Sequence, residues 1–188
     1  MRADARRNRA LILDAALDLF ATRGPAVSME EIARAAGLGV GTLYRHFPDR
    51  QALQEQIAAD TLRRLLSAIR DLAARPLPAW EALVLFVRHC AGLPLALAKT
   101  LVDDESPPAE VAELTGEVNG LIALLAEQAQ REGSLRADIP PREIVDLLSV
   151  AVCRPGARAD DALTTVILDG LRAPAAVDPE RAPAVTGD

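Results

Sequence analysis

Thr42, Tyr44, Arg45 and His46 place a hydroxyl, a phenol, a guanidinium and an imidazole within five consecutive residues. Such groups can bond phosphate oxygens and meet the donor and acceptor edges of bases in a groove. Leu43 and Phe47, four apart, are apolar. A short helix starting near Gly39 or Val40 would bury those two and turn the polar tips outward. Val40 and Gly41 open that helix, and Ser28 and Arg50 begin the helices on either side of it. These eight positions (Ser28, Val40, Gly41, Thr42, Tyr44, Arg45, His46 and Arg50) are the candidate nucleic-acid contacts.

The preceding residues supply what would hold such a helix in place. Ser28 and Glu31 have the spacing of a capping box: the serine oxygen accepts from the N–H of Glu31, and the glutamate accepts from the N–H of Ser28. Val27 and Ile32 are spaced for a hydrophobic staple. Met29, Ile32, Ala33 and Ala36 form one apolar face at helical spacing. Gly37 stands where the chain must leave the helix with positive φ, a conformation costly for any residue with a Cβ. Helix, glycine turn and helix is the helix-turn-helix unit, whose second helix enters the major groove. An αα-corner buried in a helical domain would carry the same caps and turn, so only the polar tips favour DNA.

The segment around these residues, IARAAGLGVGTLYRHFPDRQAL, resembles the N-terminal signature of the TetR/AcrR family of transcriptional regulators. The likeness rests on Ile32-Ala33, Ala36-Gly37, Gly41-Thr42-Leu43-Tyr44, His46-Phe47-Pro48 and Leu53. Upstream, Ile12 to Ala16, Phe20 and Gly24 sit where that family has its first helix and its end. Gly39 replaces the serine that usually caps the recognition helix, a change worth only a few tenths of a kcal/mol. Val40 stands where a polar residue is common, which alters the expected operator sequence rather than the activity. Arg50 takes the place of a lysine near a phosphate. GSLRADIPP, ILDGLR and the latter half of the chain are similar to the SbtR-type C-terminal domain.

Charge distribution agrees with a DNA-reading head on an acidic body. The net charge is −6, yet residues 1–50 hold eight Arg against six acids, and the rest holds thirteen bases against twenty-one acids. Half the residues are hydrophobic, while aromatics make up only 3%. A core of Leu, Ala, Val and Ile with no alternating strand pattern implies an all-α fold. About nine helices are expected: a three-helix head over 1–49, a helical regulatory and dimerisation domain over 50–172, and a disordered tail over 173–188 rich in Ala, Pro and charge. Residues 1–5 read as a frayed start, and Arg2, Arg6, Arg7 and Arg9 as either a solvated arm or a phosphate-touching one.

Helix four should run over 50–74 as a lever longer than 30 Å. Further helices are expected over 79–91, to about 101, over 109–132, from 141, and over 160–171. The resemblance implies a homodimer formed by the last two helices, with Ile144, Leu147, Leu148, Ala151, Leu163, Val166 and Ile167 as candidate interface residues. It also implies a pocket for a small-molecule effector walled by helices four, five, seven and eight. Trp80, Phe86, His89 and Cys90 are its candidate lining, with Arg88 beside them.

Catalysis has no visible cast. Only His46 and His89 are present, and no phosphate loop, GxSxG elbow or metal-spaced cluster occurs. Cys90 and Cys153 form no CxxC pair, so metal ions, cofactors and a disulfide framework are not expected, and buried thiols are favoured over redox sensors. No run of eighteen apolar residues and no signal-peptide pattern occurs, so a cytoplasmic location away from membranes is expected. The reading is therefore a ligand-responsive regulator, most simply a repressor, that binds a near-palindromic double-stranded operator as a dimer. The alternative is a helical adaptor that binds a protein partner and no DNA.

Overall fold

A computed structural model describes residues 2–24 and 26–174. Among them are nine helices: α1 Arg2–Arg23, α2 Met29–Ala35, α3 Val40–His46, α4 Arg50–Ala73, α5 Ala79–Cys90, α6 Leu95–Val102, α7 Ala109–Arg131, α8 Pro141–Val152 and α9 Ala162–Leu171. The only β pairing among the described residues is one antiparallel bridge, Leu135 to Arg172. The architecture is all-α, a small N-terminal helix-turn-helix head on a larger helical body.

Two apolar cores divide the molecule. The head core gathers Ile12, Phe20, Ile32, Leu43 and Phe47 from α1 to α3, and it also takes Leu53 and Ile57 from α4 and Leu97 from α6. The body core gathers Leu62 to Leu72 of α4 with the inner faces of α5 to α9. The expected cut between residues 49 and 50 therefore does not coincide with the packing. α4 runs unbroken through both cores, about 36 Å at 1.5 Å per residue, and its first two turns belong to the head.

α1 begins at Arg2 rather than after residue 5. Ala3, Ala5 and the arginines are strong helix formers, and Asp4 in the first turn suits the positive end of the helix dipole. Arg6, Arg7 and Arg9 thus lie beyond the first turn, where that dipole no longer opposes them. At the other end, Ala173 N–H donates to Ser134 O (3.2 Å) and Arg136 N–H to Leu171 O (3.1 Å), so the ordered chain passes the expected limit of 172. Residues 175–188, most of the expected tail, lie outside the described residues.

The connector after α7 is held by its neighbours. Gln130 Nε2 donates to the carbonyls of Arg136 (3.0 Å) and Ile139 (2.7 Å), satisfying groups a loop would otherwise leave buried. α5 starts against the end of α7, where Ala79 N–H donates to Glu132 Oε2 at 2.8 Å. Ion pairs from Arg63 to Glu110 and from Arg70 to Glu117 link α4 to α7, but they are exposed and add little stability. Among the described residues no single helix is long and apolar enough to cross a membrane.

Candidate functional site

The α2–α3 unit has the local chemistry its residues dictate. Ser28 Oγ accepts from Glu31 N–H (3.1 Å), and Glu31 Oε2 accepts from Ser28 N–H (2.9 Å). These bonds to Ser28 hold the Glu31 carboxyl below its usual range, the backbone bond acting most strongly. α2 ends in a Schellman turn: Leu38 N–H reaches Ala33 O (2.9 Å), Gly37 N–H reaches Arg34 O (3.1 Å), and Gly37 has φ +69°. Leu38 then packs onto the head core and sets the angle at which α3 leaves. Gly39 opens α3 with extended backbone and no side-chain cap.

α3 divides its residues as the spacing requires. Leu43 is wholly buried and Phe47 nearly so, while Val40, Gly41, Arg45 and Tyr44 (44% exposed) face outward and Thr42 and His46 are half-buried. The Arg9 guanidinium sits 5.3 Å above the Phe47 ring, tying α1 to the end of the recognition helix. Arg45 lies along its own helix, its Nε donating to Gly41 O (3.2 Å) and its Nη2 to Thr42 Oγ1 (3.4 Å). Those bonds must open before Arg45 can reach a base or phosphate. Arg50 is the first residue of α4, behind Asp49, whose Oδ1 accepts from Ala52 N–H at 2.7 Å. Ser28 is half-buried and engaged in its cap, so only its hydroxyl proton is left to offer a phosphate.

The body contains a partly open cavity of about 150 Å³. Leu62, Leu65, Phe86, Leu95, Ile122 and Leu148 supply much of its wall, so α4, α5, α7 and α8 take part, with α6 in addition. Of the four predicted lining residues, Phe86 and Cys90 reach it and the other two do not. Trp80 is buried against an outer groove with Pro78, Leu85 and Arg88, and its indole Nε1 has no partner among the described residues. His89 is exposed, one residue off the inward face of α5, as is Arg88. The helical repeat places Leu83, Phe86, Val87 and Cys90 inward together and leaves no room there for residue 89. Burial pushes the Cys90 thiol up, aided by nearby Cys153, and burial likewise pushes Cys153 up. Both thiols are thus neutral and poor nucleophiles, unlike a reactive sensor.

Sequence reasoning missed the cavity's polar lining, Lys99, Thr115, Asn119, Asp146 and Ser149. Thr115 and Asn119, four apart on the edge of the apolar stripe of α7, were the signal that could have found part of it.

The predicted dimer residues also divide. Ile144, Leu148 and Ala151 are buried inside the body, so these three do not form an outer face, while Ile167 is half-buried, packed against the same core with part of its surface outside. Leu147 and Leu163 are exposed, together with Val150 (58%) and Val166 (67%). α8 has two apolar faces, and the inner one is spent on the body core.

Residues 12–57 match the model for bacterial regulatory proteins of the tetR family, and residues 76–173 match that for the C-terminal domain of SbtR-like transcriptional regulators. This chain belongs to the TetR family. The HTH-type transcriptional repressor KstR2 of Rhodococcus jostii (strain RHA1) is 32% identical, over 88% of this chain and 92% of that protein. The crystal structure of a TetR regulatory protein from Mycobacterium vanbaalenii shares 38% identity, covers 91% of this chain and 98% of its own, and superposes with TM-score 0.61. A γ-butyrolactone receptor described as ArpA-like shares 26% identity over 90% of each chain, with TM-score 0.65. These TetR-family relatives are transcriptional regulators rather than enzymes, and the adaptor reading finds no support among them. The chain is a DNA-binding transcriptional regulator.

Proposed function

We propose that this regulator is a repressor that binds a near-palindromic operator as a homodimer and releases it when a small molecule enters the body cavity. The observation that carries the reading is the division of α3: a fully buried Leu43 beneath an exposed row of Val40, Gly41, Tyr44 and Arg45. Thr42, Tyr44 and Arg45 take phosphates or base edges, His46 and Arg50 take phosphates, and Ser28 adds a phosphate contact from the start of α2. A protein whose relatives include a repressor most simply acts by occupying its operator.

Dimerisation is supported by the outer faces of α8 and α9. Leu147, Val150, Leu163 and Val166 are apolar, exposed and close in sequence on two packed helices, an arrangement that a four-helix bundle with a second copy would cover. Two heads related by a two-fold axis then read half-sites one turn apart, about 34–36 Å.

Coupling between cavity and head has two routes. α4 lines the cavity with Leu62 and Leu65 and enters the head core with Leu53 and Ile57. α6 lines the cavity with Leu95 and Ala98 and enters the head core with Leu97. A ligand that spreads the cavity therefore displaces two helices that the head is packed upon. It lowers operator affinity by as much as it prefers the displaced state, and no more. A γ-butyrolactone receptor among the structural neighbours supports a small-molecule effector.

Selection of bound fragments from random DNA, followed by affinity measurement at two salt concentrations, tests the reading. A two-fold symmetric preferred site with steep salt dependence is the expected result. Sequence-indifferent, salt-insensitive binding would overturn it.

A further inference from the structure

The cavity's polar groups are few, and their states restrict what it can hold. Lys99 is exposed at its edge and already donates to Asp103 Oδ1 at 2.7 Å. Asp146, the one acid on the lining, is exposed and keeps its carboxylate in water. The Cys90 and Cys153 thiols are neutral. An anionic guest would lose its hydration against leucine, valine and phenylalanine and find Lys99 already paired, while a cationic one would find only Asp146, which water already covers. Thr115 is different. A helical threonine commonly bonds back to a carbonyl one turn earlier, but Thr115 Oγ1 is buried with no hydrogen-bond partner among the described residues, and Thr115 lines the cavity.

We propose that the cavity selects a small, neutral, mainly apolar molecule carrying one hydrogen-bonding group, such as a phenol or ketone, and that the Thr115 hydroxyl is the group that recognises it. The biological meaning rests on the cavity being the effector site. A space of about 150 Å³ accommodates roughly one benzene-sized ring. The unpartnered Thr115 hydroxyl can donate to a carbonyl or accept from a phenol, and a guest lacking either leaves it unpaired.

Calorimetric titration of the purified full chain with p-cresol, toluene, benzoate and benzylammonium tests this. p-Cresol should bind about tenfold tighter than toluene, the worth of one buried hydrogen bond, and both ions should bind more weakly than p-cresol. In Thr115→Val, of nearly the same shape, p-cresol should lose that tenfold while toluene binds as well or better. Val118→Phe, which fills the cavity, should abolish binding of both and so locate the site. Equal affinities in the unaltered protein, a tenfold preference surviving in Thr115→Val, an ion binding tightest, or no binding by any probe at millimolar concentration would each overturn the assignment. The two readings separate in the operator assay. If saturating p-cresol binds through Thr115 yet leaves operator affinity unchanged, the effector role falls and the ligand class stands. If p-cresol weakens operator binding equally in Thr115→Val, the effector role stands and the ligand class falls.

Discussion

Tyr44→Ala removes a phenol that is 44% exposed at the middle of α3 and that no described hydrogen bond anchors to the protein. Its loss leaves Leu43 and Phe47 in the head core, so the stability of the head should change by no more than ~0.5 kcal/mol, as for an exposed surface substitution. Operator binding should respond very differently. A side chain at a base edge or phosphate contributes about 1–3 kcal/mol, and a dimer presents two copies. Losses of about 2–6 kcal/mol follow, roughly 30-fold to 10⁴-fold in Kd. Fluorescence anisotropy with the selected operator, beside a thermal melt of the same preparation, measures both quantities. Tyr44→Phe separates the hydroxyl from the ring: a loss shared by both variants assigns the contact to the phenolic oxygen, and a loss confined to alanine assigns it to the ring. Arg45→Ala should weaken binding less than a pre-extended arginine would predict, because the native side chain must first leave Gly41 O and Thr42 Oγ1. Operator affinity unchanged in Tyr44→Ala, with the fold intact, would refute the assignment of this face to DNA.

Three further outcomes are expected. Gly37→Ala should lower head stability by about 1–2 kcal/mol in chemical denaturation, because φ is +69° while nothing lies within 4 Å of the added Cβ; a much larger loss would mean a clash the structure lacks. Val166→Glu, placing a charge on the most exposed apolar position of α9, should shift the protein towards monomer in analytical ultracentrifugation and reduce operator affinity with it; an unaltered dimer would remove α9 from the interface. The melting temperature should be level above about pH 5 and fall below about pH 4. The Glu31, Asp138, Asp160 and Asp161 carboxyls are all held below their usual range by bonds to Ser28, Arg136, Arg158 and the Thr164 backbone respectively. Groups with depressed folded values stabilise the native state above their unfolded values, and that contribution is lost as pH falls through the folded ones. Asp161→Asn should flatten part of the acid fall in a series of melts, and an unchanged slope would show that its caps do not matter.

Local chemistry was legible wherever it depends on residues a few positions apart. The capping box of Ser28 and Glu31, the positive φ of Gly37, the outward row on α3 and most helix limits follow from spacing alone, because their determinants lie within one or two turns. The family followed from the same short stretch. Tertiary structure decided what spacing leaves degenerate. α8 has apolar residues on two faces, and periodicity cannot say that Ile144, Leu148 and Ala151 turn inward while Leu147 and Val150 stay outside. His89 and Cys90 are neighbours in sequence, yet one is exposed and the other lines a cavity, since a rotation of about 100° separates them. The cavity draws on five helices, and the joint between head and body depends on Leu97, a residue whose buried partners lie forty or more positions upstream. No local pattern encodes such meetings, because they are set by how whole helices pack against one another.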